Sequence, residues 1–312
     1  LVLGIVNACD GPARQSILIQ LVGSKAELPS AIALNSIVMN GARFVGPMLA
    51  GAVIAGGGEA WGFGLNALSY GVSLTAIWLV RSRSTLHEPR EQGWFRQLAA
   101  GAGYAFGFLP ARAALLLLAA TSLTVQPYAS LMPWFAREVF HGDSGMLGTL
   151  MSASGLGAVS GMVYLAFRQN IRGLFRLIAW TSGTAGAALL AFSFCGSLML
   201  ALPALYLVGL GMLLSAAATN TVLQSIVPDE LRGRVASLYV VAFIGMSPVG
   251  ALLGGWIAEY AGPPATLAGC GIVTLAAALF YASKLDAIRR QIRPLYEQMG
   301  IIPTDTALRQ DQ

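Results

Sequence analysis

Asp10 and Arg14 stand four residues apart in an otherwise apolar stretch, close enough on one helix face to pair. An ionisable side chain in hydrocarbon costs about 2.5–3.5 kcal/mol at mid-helix on insertion scales, so its presence implies a purpose. Two purposes fit. Asp10 forms a fixed ion pair with Arg14, or with Arg43, that locks adjacent helices. Alternatively Asp10 titrates during a working cycle, its pKa raised by desolvation and lowered as an arginine approaches. Asp10 is the carboxylate lying deepest in an apolar run, so any proton coupling carried here falls first to it. Arg43 is also mid-run, and its guanidinium needs a carboxylate, carbonyls or water, which places it toward a protein interior.

Uncharged polar groups form the second set. Gln126, Pro127 and Tyr128 interrupt one apolar run, and Asn66, Asn220 and Gln224 mark others. Each can bond a neighbouring helix for well under 2 kcal/mol. Gln126, Tyr128 and Asn220 can instead line a central cavity, since broken helices near the bilayer midplane often form binding sites. A third feature is steric: Ala42, Gly46, Ala50 and Gly51 make a smooth stripe with Pro47 set into it. Close helix packing of the small-xxx-small kind accounts for that spacing.

The elements that position these residues follow from composition. The chain is 56% hydrophobic and 11% charged, against roughly 25% charged in a soluble domain. Its apolar runs last about 20 residues, the length a helix needs to cross some 30 Å of hydrocarbon. Nine such spans are predicted, at 1–22, 31–55, 61–80, 113–136, 145–167, 175–194, 198–226, 235–260 and 265–284. Backbone groups in lipid must be satisfied within the segment, so each is a helix. The expected fold is an all-α multi-pass membrane protein.

Basic residues orient it. Arg81, Arg83, Arg90, Arg96, Arg168, Arg172, Arg176, Arg232, Arg234 and the Lys284 to Arg293 tail fall on one side, and the opposite loops hold Arg137. Positive charge stays cytoplasmic, so the C-terminus is expected inside. The net charge of +5 then reflects topology, and no basic run interleaved with aromatics suggests nucleic acid. Residues 82–111 form a polar linker, amphipathic from Trp94 to Phe108 and suited to the membrane surface. Trp61, Trp78, Trp134, Trp180 and Trp256 lie near span ends, as an aromatic belt should. Residues 1–22 carry no basic leader or cleavage site and are not read as a signal peptide.

Cys9, Cys195 and Cys270 are isolated, and His87 and His141 lie in loops, so no disulfide framework or metal site is indicated. No phosphate-binding glycine loop precedes a Lys-Ser/Thr pair, which leaves an ion gradient as the energy source and no cofactor to expect. Sliding the chain by 204 positions aligns residues 17–80 with 221–284 without a gap, setting Gly41 on Gly245, Gly46 on Gly250 and Gly51 on Gly255. If the first three spans repeat the last three, three more helices are expected before Leu1, giving twelve in two related halves.

These features together resemble the major facilitator superfamily, from its fourth helix to its twelfth. The nearest resemblance is to the bacterial branch of enterobactin-exporter-like and transmembrane secretion effector proteins. Residues 7–15 (NACDGPARQ), 28–51 (LPSAIALNS through GPMLAG) and 227–238 (VPDELRGRVASL) carry it. The resemblance implies residues 1–81 as the later part of the N-terminal half, 82–111 as the linker, 112–285 as the C-terminal half and 286–312 as a cytoplasmic tail.

It also implies that Gly46-Pro47 through Ala50-Gly51 is the fifth-helix motif of proton-coupled exporters, with Ala50 in place of a glycine. The turn of Asp229, Glu230, Arg232 and Arg234 becomes a cytoplasmic latch between halves; as a plain loop it would cap the next helix. The loop 168–176 occupies the place of a second family signature but has no Asp.

A secondary transporter leads the readings, ahead of a membrane enzyme and a helical scaffold. An enzyme should show His or carboxylate clusters near an interface. A scaffold has no need of Asp10, Arg43 and the repeat. The expectation is a monomer in the bacterial inner membrane, exporting a small molecule against a proton gradient, with uptake by symport or a non-transporting subunit as alternatives.

Overall fold

The computed structural model describes Val53 and residues 59–79, 94–168 and 171–298. The chain divides into two compact units, Leu1–Glu91 and Gln92–Gln312. No strand occurs among the described residues.

In the first unit the described element is α1, Glu59–Leu79. It covers the expected span 61–80, and at 21 residues reaches about 31 Å, enough to cross a bilayer. Two of its hydroxyls are satisfied within the helix. Ser69 Oγ donates to the Asn66 carbonyl at 2.7 Å and Thr75 Oγ1 to the Gly71 carbonyl at 2.8 Å.

The second unit runs α2 (Trp94–Gly107), α3 (Leu109–Val125), α4 (Pro127–Trp134), a π-helical turn at Phe135–Val139, α5 (Ser144–Phe167), α6 (Leu174–Ser193) and α7 (Leu198–Ile226). It continues with α8 (Asp229–Val240), a second π-turn at Val241–Gly245, α9 (Met246–Ala261), α10 (Pro263–Ser283) and α11 (Leu285–Gln298). Among the described residues six helical stretches are long and apolar enough to span a membrane: Leu109–Val139, Ser144–Phe167, Leu174–Ser193, Leu198–Ile226, Leu231–Ala261 and Pro263–Ser283. They reproduce the last six of the nine expected spans. α1, diluted by Asn66, Ser69, Ser73 and Thr75, does not reach that apolarity.

Starts and stops are chemical. Asp143 caps α5, its Oδ1 accepting from the amides of Gly145 at 2.9 Å and Met146 at 3.3 Å. Gly173 precedes α6 at φ 79°, and Gly262 precedes the Pro263-Pro264 start of α10 at φ 80°.

Packing runs on glycine, as expected where lipid supplies no hydrophobic drive between helices. A Cβ at Gly157 of α5 would strike the Tyr206 carbonyl of α7, and one at Gly209 of α7 the Ser154 carbonyl of α5. Gly186 and Gly271 back onto each other between α6 and α10, where added methyls would meet backbone at 2.8 and 2.7 Å. Large residues do the reverse. Leu116, Leu156, Phe167, Trp180, Leu252 and Phe280 point outward, about half to more than four-fifths exposed. Such a surface suits hydrocarbon, not water.

The core forms two layers. One holds Met132, Phe135, Leu150, Phe192, Leu205 and Leu267, with the rings of Phe135 and Phe192 4.9 Å apart. The other gathers Leu115 of α3 with Phe175, Ile226, Val235, Tyr281 and Ile288 from around the α5–α6, α7–α8 and α10–α11 turns. The basic loops carrying Arg168 to Arg176, Arg232 to Arg234 and Lys284 to Arg293 therefore meet at one end of the bundle.

Candidate functional site

The broken helix is the centre of the described candidate site. At Gln126 the α3 helix ends and Pro127, which brings no amide hydrogen, opens α4. Pro133 lies inside α4 and the π-turn at Phe135–Val139 follows, so the stretch is irregular for most of its second half. Across from it, α8 passes into α9 through the π-turn at Val241–Gly245, which packs against α3. π-turns of this kind often mark functional positions. The two irregular helices are joined by one side-chain bond: Gln126 Nε2 donates to Ser247 Oγ at 3.0 Å.

Tyr128, two residues on, points elsewhere. Its hydroxyl is 2.6 Å from Ser154 Oγ of α5, and the residue is 8% exposed. Asn220 lies on α7, and its Oδ1 accepts from Gln224 Nε2 at 3.0 Å along the same helix. The three residues expected to line one cavity are thus not brought together. Gln126 turns to α9, Tyr128 into the α4–α5 packing, and Asn220 lies half-buried along α7. Sequence reasoning missed their partners Ser154 and Ser247, and the Thr124–Thr274 hydroxyl pair at 2.6 Å between α3 and α10. No signal singles them out, because Thr121, Thr181 and Ser160 bond their own helix carbonyls instead.

The glycines of the second-half repeat settle into packing. Gly250 lies against the Leu123 carbonyl and Gly254 against the Pro127 ring, holding α9 against the break; Gly255 has open space. The corresponding first-half residues Gly46, Pro47, Ala50 and Gly51 lie outside the described residues, as do Asp10, Arg14 and Arg43.

At the basic end, Asp229 and Glu230 are the first two residues of α8, and Pro228 is its N-cap. Arg232 is exposed and Arg234 half-buried. Arg234 is clasped by α2: a Cβ on Gly101 would meet Arg234 Cβ at 2.7 Å. Tyr104 Oη donates to the Ile226 carbonyl at 3.5 Å, and burial raises its pKa, so it stays a neutral donor. The amphipathic stretch expected on the membrane surface is thus packed on the α7–α8 turn, with Ala105 wholly buried. Nearby, Arg168 Nη1 donates to Tyr164 Oη at 2.8 Å and Nη2 to the Arg172 carbonyl at 2.6 Å, closing the α5–α6 loop. Cys195 and Cys270 are free thiols, and no cluster of metal-ligating side chains occurs among the described residues.

Residues 1–301 match the family model described as transmembrane secretion effector. The staphyloferrin A transporter of Staphylococcus aureus is 25% identical over 272 residues, covering 87% of this chain and 68% of that protein. The enterobactin exporter EntS of Citrobacter koseri is 26% identical over 281 residues, covering 88% and 65%. That of an Escherichia coli O1:K1 strain is 27% identical over 278 residues, covering 86% and 64%. The chain spans about two-thirds of the length of these relatives.

Proposed function

Because the chain belongs to the transmembrane secretion effector family of major facilitator transporters, we propose that it exports a small molecule by alternating access, driven by protons entering the cell. Membership of a transporter family and a multi-pass helical bundle with a lipid-facing surface are the ground; direction and coupling are the added step. The match over residues 1–301 carries the reading, and it sets aside enzyme catalysis. In this reading nine spans cross the inner membrane of a bacterial cell, the basic end faces the cytoplasm, the C-terminus is inside, and one chain acts as a monomer.

The roles divide by half. Asp10 takes up and releases the proton, with Arg14 and Arg43 as its charge partners. Gly46, Pro47, Ala50 and Gly51 form the export-type motif. Gln126 and Asn220 offer polar groups to the substrate, and Asp229, Glu230, Arg232 and Arg234 latch the cytoplasmic side. The names of the relatives, a staphyloferrin A transporter and an enterobactin exporter, make a siderophore the first substrate class to test.

The deciding experiment uses the full-length protein in proteoliposomes with an imposed proton gradient. Substrate leaving the side that bears the C-terminus while protons enter it supports the reading. Substrate and protons moving together establish symport, and transport indifferent to the gradient removes the coupling.

A further inference from the structure

One cavity stands apart from the lipid-facing surface around it. It encloses about 290 Å³ between the start of α6 and the amphipathic helix α11, at the basic end of the bundle. Arg172 approaches from the turn before α6, Arg176 from α6, and Arg289 and Arg293 from α11, while Ile288 and Tyr296 give it an apolar floor. No carboxylate lines it. Asp286 and Glu297, which lie 3.9 Å from Arg289 and 2.9 Å from Arg293, are absent from the lining. Tyr296 contributes its ring: the residue is 7% exposed, and its hydroxyl, like that of Tyr281, is buried.

A second feature lies beside the cavity. An apolar groove of about 390 Å³ runs between α6 and α10, past Ala179, Trp180, Gly183 and Leu275 to Ala187, and Leu285 lines both spaces. From Ala179 to Ala187 it extends about 12 Å along the helix, most of the roughly 15 Å depth of one leaflet's hydrocarbon. A basic pocket alone would accept any phosphate; one beside an acyl-length groove matches a lipid.

We propose that this composite site binds one anionic phospholipid, its phosphate among the four arginines, with an acyl chain along the α6–α10 groove.

The test titrates the full chain in detergent with phosphatidylglycerol and with phosphatidylcholine of the same acyl chains, reading bound lipid by native mass spectrometry. Glycerol 1-phosphate serves as the headgroup-only competitor. Phosphatidylglycerol should bind tighter by roughly thirtyfold, the share expected of two arginines near the surface, and Arg176→Gln/Arg289→Gln should erase that preference. Both side chains are exposed, so the variant should unfold at the wild-type temperature. Gly183→Leu, which fills the groove, should weaken retention of both lipids. Equal binding of the two lipids, or an intact preference in the arginine variant, overturns the site. Displacement by equimolar glycerol 1-phosphate overturns the lipid in favour of a free phosphate anion.

Discussion

Gln126 Nε2 and Ser247 Oγ, 3.0 Å apart, tie the proline break between α3 and α4 to the segment that follows the π-turn of α9. Both helices depart from regular geometry at the height where the bond is made, so the bond couples two places where backbone can shift at low cost. Gln126→Ala and Ser247→Ala should each slow transport severalfold. Each should lower stability by only about 0.6 kcal/mol, the average measured for bonds between membrane helices. A double-mutant cycle on turnover in proteoliposomes checks it: additive losses would mean the two side chains act separately.

Tyr128 offers the contrast. Its hydroxyl is spent on Ser154 inside the packing, so Tyr128→Phe should leave Ser154 short of a partner and destabilise the protein by about 1 kcal/mol. The substrate KM should not move. A raised KM with unchanged thermal unfolding would place Tyr128 in the substrate path.

Much of this was legible from the sequence, for reasons that particular residues make plain. The spans were readable because lipid demands about 20 apolar residues whatever the tertiary contacts. The break was readable because Pro127 cannot supply its amide. The glycine register that sets Gly46 on Gly250 was readable, though the Leu123 carbonyl that Gly250 touches was not. The partners were illegible where one residue type has two outlets. A Ser or Thr in a span bonds its own helix alone, as Thr121 does, or also meets a hydroxyl of another helix, as Thr124 does, and only the neighbour decides. The stretch from Trp94 to Phe108 has a face that fits a bilayer surface or a protein groove equally well. Gly101 against Arg234 is the detail that assigns it to the protein.

Glycine contacts allow a sharper stability test. At Gly157 an added methyl meets the Tyr206 carbonyl, main chain that retreats only if α5 and α7 separate. Gly157→Ala should cost about 1–3 kcal/mol, as overpacking does. Gly255→Ala, with open space around it, should stay within about 0.5 kcal/mol of wild type. Unfolding midpoints in the same detergent compare them directly, and equal midpoints would show that the α5–α7 crossing is not close-packed in solution.

The coupling residue carries the last prediction. If Asp10 exchanges a proton during export, Asp10→Asn should abolish proton-driven accumulation while leaving substrate counterflow, because exchange of substrate across the bilayer needs no net proton movement. If Asp10 is a fixed partner of Arg14 or Arg43, the same substitution strands a guanidinium in hydrocarbon. Both modes of transport should then fall together with stability, and removing the stranded charge should restore them. Counterflow and proton-driven uptake into inverted vesicles, measured on Asp10→Asn alone and combined with Arg14→Gln or Arg43→Gln, separate the cases. Recovery of proton-driven transport in a combined variant assigns Asp10 to structure and sends the search for the coupling residue elsewhere in the protein.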